Sequence, residues 1–353
     1  MNQSSLNSSN NQNGSFEIPL YNPYVIKDVP LKIAQTVIGT ILNAFALIVL
    51  VTMKKKTFSH CLFISLSASD LMNSSLFSGL SIFGLGYLSW PLGDFLCFVY
   101  QFFCNAQYAV SNLTVLIISI NRFVLLNRVV KNGETLSKLK VSFLLLSWLF
   151  PYIYVPIMIV VLMNNGLFDY SSCVINYPFL FLIVHNSLVN LLPGFLSMST
   201  NILSVLCLVR KWRRRVKLVA PRQTRMNQSA SSIERNVNID SLVSVSFGLD
   251  DAPKTVAQGE ERARTKEVRY RKKLSNEFKA VICILLVVLN IAINEYPCLI
   301  VWMLLVKCYE CTNLEFFYGT LRMVFFFPIL NPIILLLFNQ SFKSQVIRIL
   351  NFK

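Results

Sequence analysis

Seven long apolar runs, near 31–53, 60–84, 94–127, 139–163, 178–209, 276–306 and 313–338, are separated by short polar or basic segments. At about 1.5 Å of rise per residue, each is long enough as a helix to cross the roughly 30 Å hydrocarbon core of a bilayer. The pattern predicts an all-α membrane protein, a seven-transmembrane helix bundle over residues 31–338. Residues 1–30 form a polar N-terminal segment, and 339–353 follow the last span. In that tail Phe342, Val346, Ile349 and Leu350 recur at helical spacing, with Lys343 and Arg348 on another face. Such spacing predicts a short amphipathic helix along the membrane surface.

Basic residues set the orientation. Lys54, Lys55 and Lys56 follow the first span, Arg128, Lys131, Lys138 and Lys140 the third, and Arg210 to Arg215 the fifth. The alternate loops hold few Lys or Arg, so the positive-inside rule places the N-terminus outside. Met1 to Pro19 has no basic start followed by an apolar stretch and does not read as a cleavable signal peptide, leaving the first span as the insertion signal. Asn2, Asn7 and Asn13 each begin a glycosylation acceptor pattern, as expected of a luminal N-terminus on a plasma-membrane protein. The loop 210–273 carries 17 Lys or Arg against 7 Asp or Glu. Its middle reads as disordered, and its basic ends continue the flanking helices toward anionic lipid or a partner.

Composition agrees: 54% hydrophobic, 14% charged, mean hydropathy +0.54. The net charge of +16 lies between and after the spans, which is topology and not a nucleic-acid surface. Charges inside spans are the informative exceptions, because an ionised group in hydrocarbon needs a partner or a polar cavity. Arg122 at the inner end of span three is the first functional candidate. Asp70 stands alone in span two, where a carboxylate is neutralised, paired or metal-bound. Glu295 in span six and Arg322 in span seven fit two readings: a pair fixing the two helices, or groups that bind a charged ligand.

One marker per span fits a known pattern. Asn43 lies in span one, Asp70 in Leu66-Ser67-Ala68-Ser69-Asp70-Leu71, and Asn121-Arg122-Phe123 in span three. Trp148, Pro193 and Pro297 mark spans four, five and six, and Asn331-Pro332-Ile333-Ile334-Leu335 marks span seven. Together these resemble the rhodopsin-like (class A) G-protein-coupled receptors, closest in look to the biogenic-amine group. The resemblance covers the chain from span one through the terminal helix. It implies a Cys97–Cys173 disulfide and a second bridge, Cys308–Cys311, in the last outer loop. It also implies a sodium and water cluster on Asp70, Ser111 and Asn331, although Phe327 and Glu295 replace a polar residue and a Trp common there. A merely hydrated or protonated Asp70 is the other reading. Asn121, Arg122, Glu277, Asn331 and Pro332 would form the switch that meets the G protein.

Departures from the pattern bear on the mechanism. Asn121 replaces the acid beside the Arg, so Glu277 is the expected remaining partner of Arg122. Asn201 and Leu335 replace two tyrosines that brace it in the active state, and the two effects oppose each other. Cys104 stands where amine receptors carry an Asp, so a standard monoamine mode is not expected. The ligand pocket is expected around Cys104, Asn105, His185, Glu295 and Arg322, where His185 either contacts ligand or is satisfied internally.

The implied partners are an extracellular small ligand, a heterotrimeric G protein, arrestin and membrane lipid. The competing reading is a receptor-fold scaffold or decoy with weak or no coupling. Inverted repeats of a transporter are absent from the sequence, and span seven lacks the Lys of a retinal pigment. His60 and His185, the two histidines, fall in different spans, which gives no support to an enzyme.

Overall fold

The computed structural model describes residues 28–54, 57–86, 90–127, 133–171, 173–236, 252–307 and 314–351. Seven helical spans run through them. Span one is Val29–Val51; span two is Phe58–Met72, a π-helical turn Asn73–Phe77, and Ser78–Gly86; span three is Gly93–Asn127; span four is Gly133–Asn164. Span five is Phe179–Asn186, a second π turn Ser187–Leu191, and Leu192–Asn236. Span six is Ala252–Asn294 with Tyr296–Lys307, and span seven is Leu314–Val324 with Phe327–Phe338. Among the described residues, six of these spans are long and apolar enough to cross a membrane, three of them across a local turn or break; span two is divided by its π turn.

Each span is inverted relative to a soluble helix. In span one Gln35, Asn43 and even Lys32 are buried, whereas Val37, Ile41 and Ile48 are exposed. That is the arrangement expected where the outer solvent is hydrocarbon and polar groups must find partners inside. The main core joins spans one, two, three, six and seven through Leu50, Phe63, Ile118, Val287 and Phe327. A second cluster gathers Trp90, Ile159, Ile175 and Leu182 around the Cys97–Cys173 disulfide, whose sulfurs are 2.10 Å apart. Beside that bond, Phe168–Asp169 and Val174–Ile175 pair as short antiparallel strands.

Helix interruptions follow the prolines. Pro332 has no N–H, so the Pro328 carbonyl lacks its helical donor; the Asn43 amide supplies one at 2.8 Å. Span seven turns at Phe325–Phe326, ahead of Pro328. Span six breaks at Glu295, two residues before Pro297.

Gln340–Leu350 forms the expected terminal helix. Asn339 caps it by accepting from the Phe342 N–H at 3.2 Å, while Phe342 and Val346 enter the core. Leu350 is exposed, not part of the buried stripe. Spans five and six extend well past their apolar runs, to Asn236 and back to Ala252. Residues 237–251, in the middle of the basic loop, lie outside the described residues.

Candidate functional site

Polar side chains form a continuous axis through the middle of the bundle. Asp70 is fully buried; Asn331 donates to its Oδ2 at 2.8 Å, and Ser111 to its Oδ1 at 3.5 Å. Ser69 and Ser111 share a 2.9 Å hydrogen bond. The Asn331 Oδ1 accepts from the Asn290 amide at 3.0 Å, and Asn290 also donates to the Phe327 backbone carbonyl and accepts from Asn294 at 2.6 Å. Asp70, Ser111 and Asn331 are thus together, as the sequence suggests. Phe327 is fully buried and contributes only its carbonyl to this network.

Glu295 and Arg322 do not pair. Glu295, 3% exposed, accepts from Asn112 at 3.3 Å, and Asn112 also donates to Asn190 of span five at 3.2 Å. Its second oxygen has no hydrogen-bond partner. Arg322 instead meets Asp28, Nε to Oδ2 at 2.8 Å. The helix break at Glu295 and the placement of Arg322 nearer the start of span one separate the two groups that the spacing suggested joining. Spans three, five and six are therefore linked through an amide, not spans six and seven through an ion pair.

At the opposite end, Arg122 and Glu277 line one cavity of about 790 Å³. Ser59, Asn121, Asn276, Cys283, Phe338 and Gln340 are among its other lining residues, so spans two, three, six and seven and the base of the terminal helix all contribute. Asn121 is held by Ser59 at 3.1 Å. The expected Arg122–Glu277 ion pair is not formed: the ion pair among the described residues is Arg322–Asp28, and the Arg122 Nε has no hydrogen-bond partner. With Asn121 neutral and turned to Ser59, Arg122 faces the cavity without a carboxylate on it. Asn201 donates to Ser119, one turn from Arg122, at 2.9 Å, and Leu335 is buried in the core. Pro332 is buried beside Asn331 in span seven.

The remaining pocket candidates sit near the disulfide. Gln101 ties span three to the loop by donating to the Cys173 carbonyl at 2.6 Å. Asn105 donates to its own helix at Gln101 and accepts from the Tyr177 hydroxyl at 3.4 Å. His185 Nδ1 and the Tyr154 hydroxyl are hydrogen-bonded at 3.0 Å, and the imidazole stacks among Tyr154, Tyr177 and Phe181. One ring nitrogen of this histidine is thus engaged within the protein. Cys104 is a free thiol, partly buried. Cys308, Cys311, Asn2, Asn7 and Asn13 lie outside the described residues.

Sequence reasoning missed Asn290, Asn294, Asn190 and Asn112 as network members, and Lys32 and Asp28 altogether. Isolated asparagines in apolar runs were the available signal for the first four. Lys32 reads as an ordinary charge at a span end until its burial is seen.

A family model described as 7 transmembrane receptor (rhodopsin family) matches residues 43–335. The chain belongs to that family: it is a multi-pass membrane receptor of the rhodopsin-like class. No curated protein matches the chain.

Proposed function

We propose that the chain is a plasma-membrane receptor, N-terminus outside, that converts binding of a small extracellular ligand into activation of a heterotrimeric G protein. The observation that carries this reading is the cavity around Arg122, walled by spans two, three, six and seven. Ligand at the disulfide end shifts a two-state bundle, and the inner part of span six, bearing Glu277, moves away from Arg122. The break at Glu295 is the natural hinge, because a helix turn ahead of a proline already lacks part of its hydrogen-bond ladder. The amide chain Glu295–Asn112–Asn190 spans that hinge and joins it to spans three and five.

Asp70 and the hydroxyls of Ser111 and Ser69 offer hard oxygen donors suited to a sodium ion, with one Asp70 oxygen only weakly engaged at 3.5 Å. In this reading the ion neutralises Asp70 and favours the resting arrangement. Arrestin and anionic lipid would meet the same inner face, the lipid against the basic ends of spans five and six.

The second reading, a scaffold or decoy of weak coupling, is favoured by Asn201 and Leu335, which offer Arg122 no hydroxyl brace. Guanine-nucleotide exchange on purified G proteins separates the two. A coupling receptor accelerates exchange in an Arg122-dependent manner, and a decoy binds partners without accelerating it.

A further inference from the structure

The corner between spans one, two, three and seven holds a lysine ammonium without an acceptor. Lys32 is 4% exposed, and its ammonium has no hydrogen-bond partner. The group carries three donors, and what meets it is the face of Phe325, 4.0 Å from the ring centroid. A ring face compensates a buried ammonium only in part. Asp28, one turn toward the start of the span, is the carboxylate described nearby, and it is already held by Arg322. Two basic side chains therefore have one described carboxylate near them, and Arg322 holds it. Gln35, a turn further along the same face, is also buried and donates to the Arg322 carbonyl at 3.3 Å.

The surroundings are aromatic. Phe325 stacks on Phe77, centroids 5.7 Å apart, and Tyr100 stacks on the other side of that cluster at 5.4 Å. Tyr108 meets Phe77 edge-on. Phe325 belongs to the two-residue interruption of span seven, so its ring can be repositioned without breaking a helix. A carboxylate entering from the disulfide end would displace the ring from the ammonium, accept its donors, and leave an aromatic wall for an apolar body.

We propose that Lys32 is the anchor of the receptor's ligand, and that the ligand is a small aromatic or apolar carboxylic acid, not an amine. The inference deepens the receptor reading and rests on it. Cys104 gives an amine no carboxylate on span three, whereas Lys32 gives an acid an ammonium that meets a ring face and, among the described residues, no acceptor.

The test uses the purified full-length chain in detergent with phenylacetate, phenethylamine and 2-phenylethanol as matched probes, read by thermal unfolding. Phenylacetate at saturation should raise the midpoint by about 2 °C or more, and the other two should not. Lys32→Gln should remove the shift, and Lys32→Arg should keep part of it. An equal shift from 2-phenylethanol, a larger one from phenethylamine, no shift from phenylacetate, or a phenylacetate shift that survives Lys32→Gln would overturn the assignment. If Lys32→Gln does not fold, the three-probe comparison on the native chain still decides. Nucleotide exchange measured on the same preparation keeps the two claims apart, since coupling without a carboxylate shift sinks only the ligand class. A carboxylate shift with no coupling on any G protein sinks only the receptor reading.

Discussion

A buried carboxylate shows what a single residue demands of its neighbours. Glu295 has one oxygen on Asn112 and the other without a partner, so its environment is already under-supplied with donors. Removing Asn112 leaves the group with no described partner, and such a loss typically costs about 1–3 kcal/mol. Asn112→Ala should therefore lower the thermal midpoint clearly, while Glu295→Gln, which keeps the shape and supplies a donor, should hold or raise it. Equal destabilisation by both variants would show that this contact is not the one that matters. The Arg322–Asp28 pair lies at the other extreme, its side chains 42% and 12% exposed. A double-mutant cycle should return a coupling of less than about 1 kcal/mol, as for other solvent-screened pairs. At this scale the sequence was only partly legible. Arg122, Asp70 and Glu295 were visible because a charge in an apolar run is itself a signal. Their partners were not, since the Glu295–Asn112 contact joins residues 183 positions apart and depends on where span six breaks.

Close helix contacts depend on small residues at the crossing. Gly194 of span five has the Tyr296 side chain lying against it: an added Cβ would stand 1.3 Å from the Tyr296 hydroxyl oxygen. Tyr296 is the first residue of the outer half of span six, so this contact fixes that half against span five. Gly194→Ala should cost about 1–3 kcal/mol through overpacking, and adding Tyr296→Ala should recover much of it in a thermal-unfolding cycle. No recovery would place the strain elsewhere. The terminal helix has its own control point in the Asn339 cap, and Asn339→Ala should weaken it by about 1 kcal/mol, seen as faster amide exchange over Gln340–Leu350. Element existence was readable from the apolar runs and from the Asn339–Leu350 periodicity. The two π turns were not, because they insert a residue's worth of backbone without changing the hydrophobic pattern. The continuation of spans five and six into the basic ends of their loop was expected from sequence, and the helices reach Asn236 and start at Ala252.

The whole molecule joins a disulfide-tied end to a cavity at Arg122 through a core of amides, hydroxyls and two carboxylates, Asp70 and Glu295. The seven spans and the family were legible because membrane burial imposes long apolar runs, and because markers such as Asn43 and Pro332 act as a pair: one amide satisfies the carbonyl the other frees. The state of Arg122 was not legible. Glu277 stands at the spacing of a partner, yet both groups face the same cavity without an ion pair. Under the proposed coupling, an Arg122 that forms no ion pair with Glu277 would be available to a G protein before ligand arrives, and ligand-independent activity is the expected outcome. The most direct measurement is guanine-nucleotide exchange by purified heterotrimeric G proteins with the full chain in lipid, native against Arg122→Ala at matched folded amounts. Exchange above receptor-free lipid for at least one G-protein class, falling to that baseline in the variant, is the predicted result. No acceleration on any class, or acceleration that Arg122→Ala leaves intact, would contradict the account.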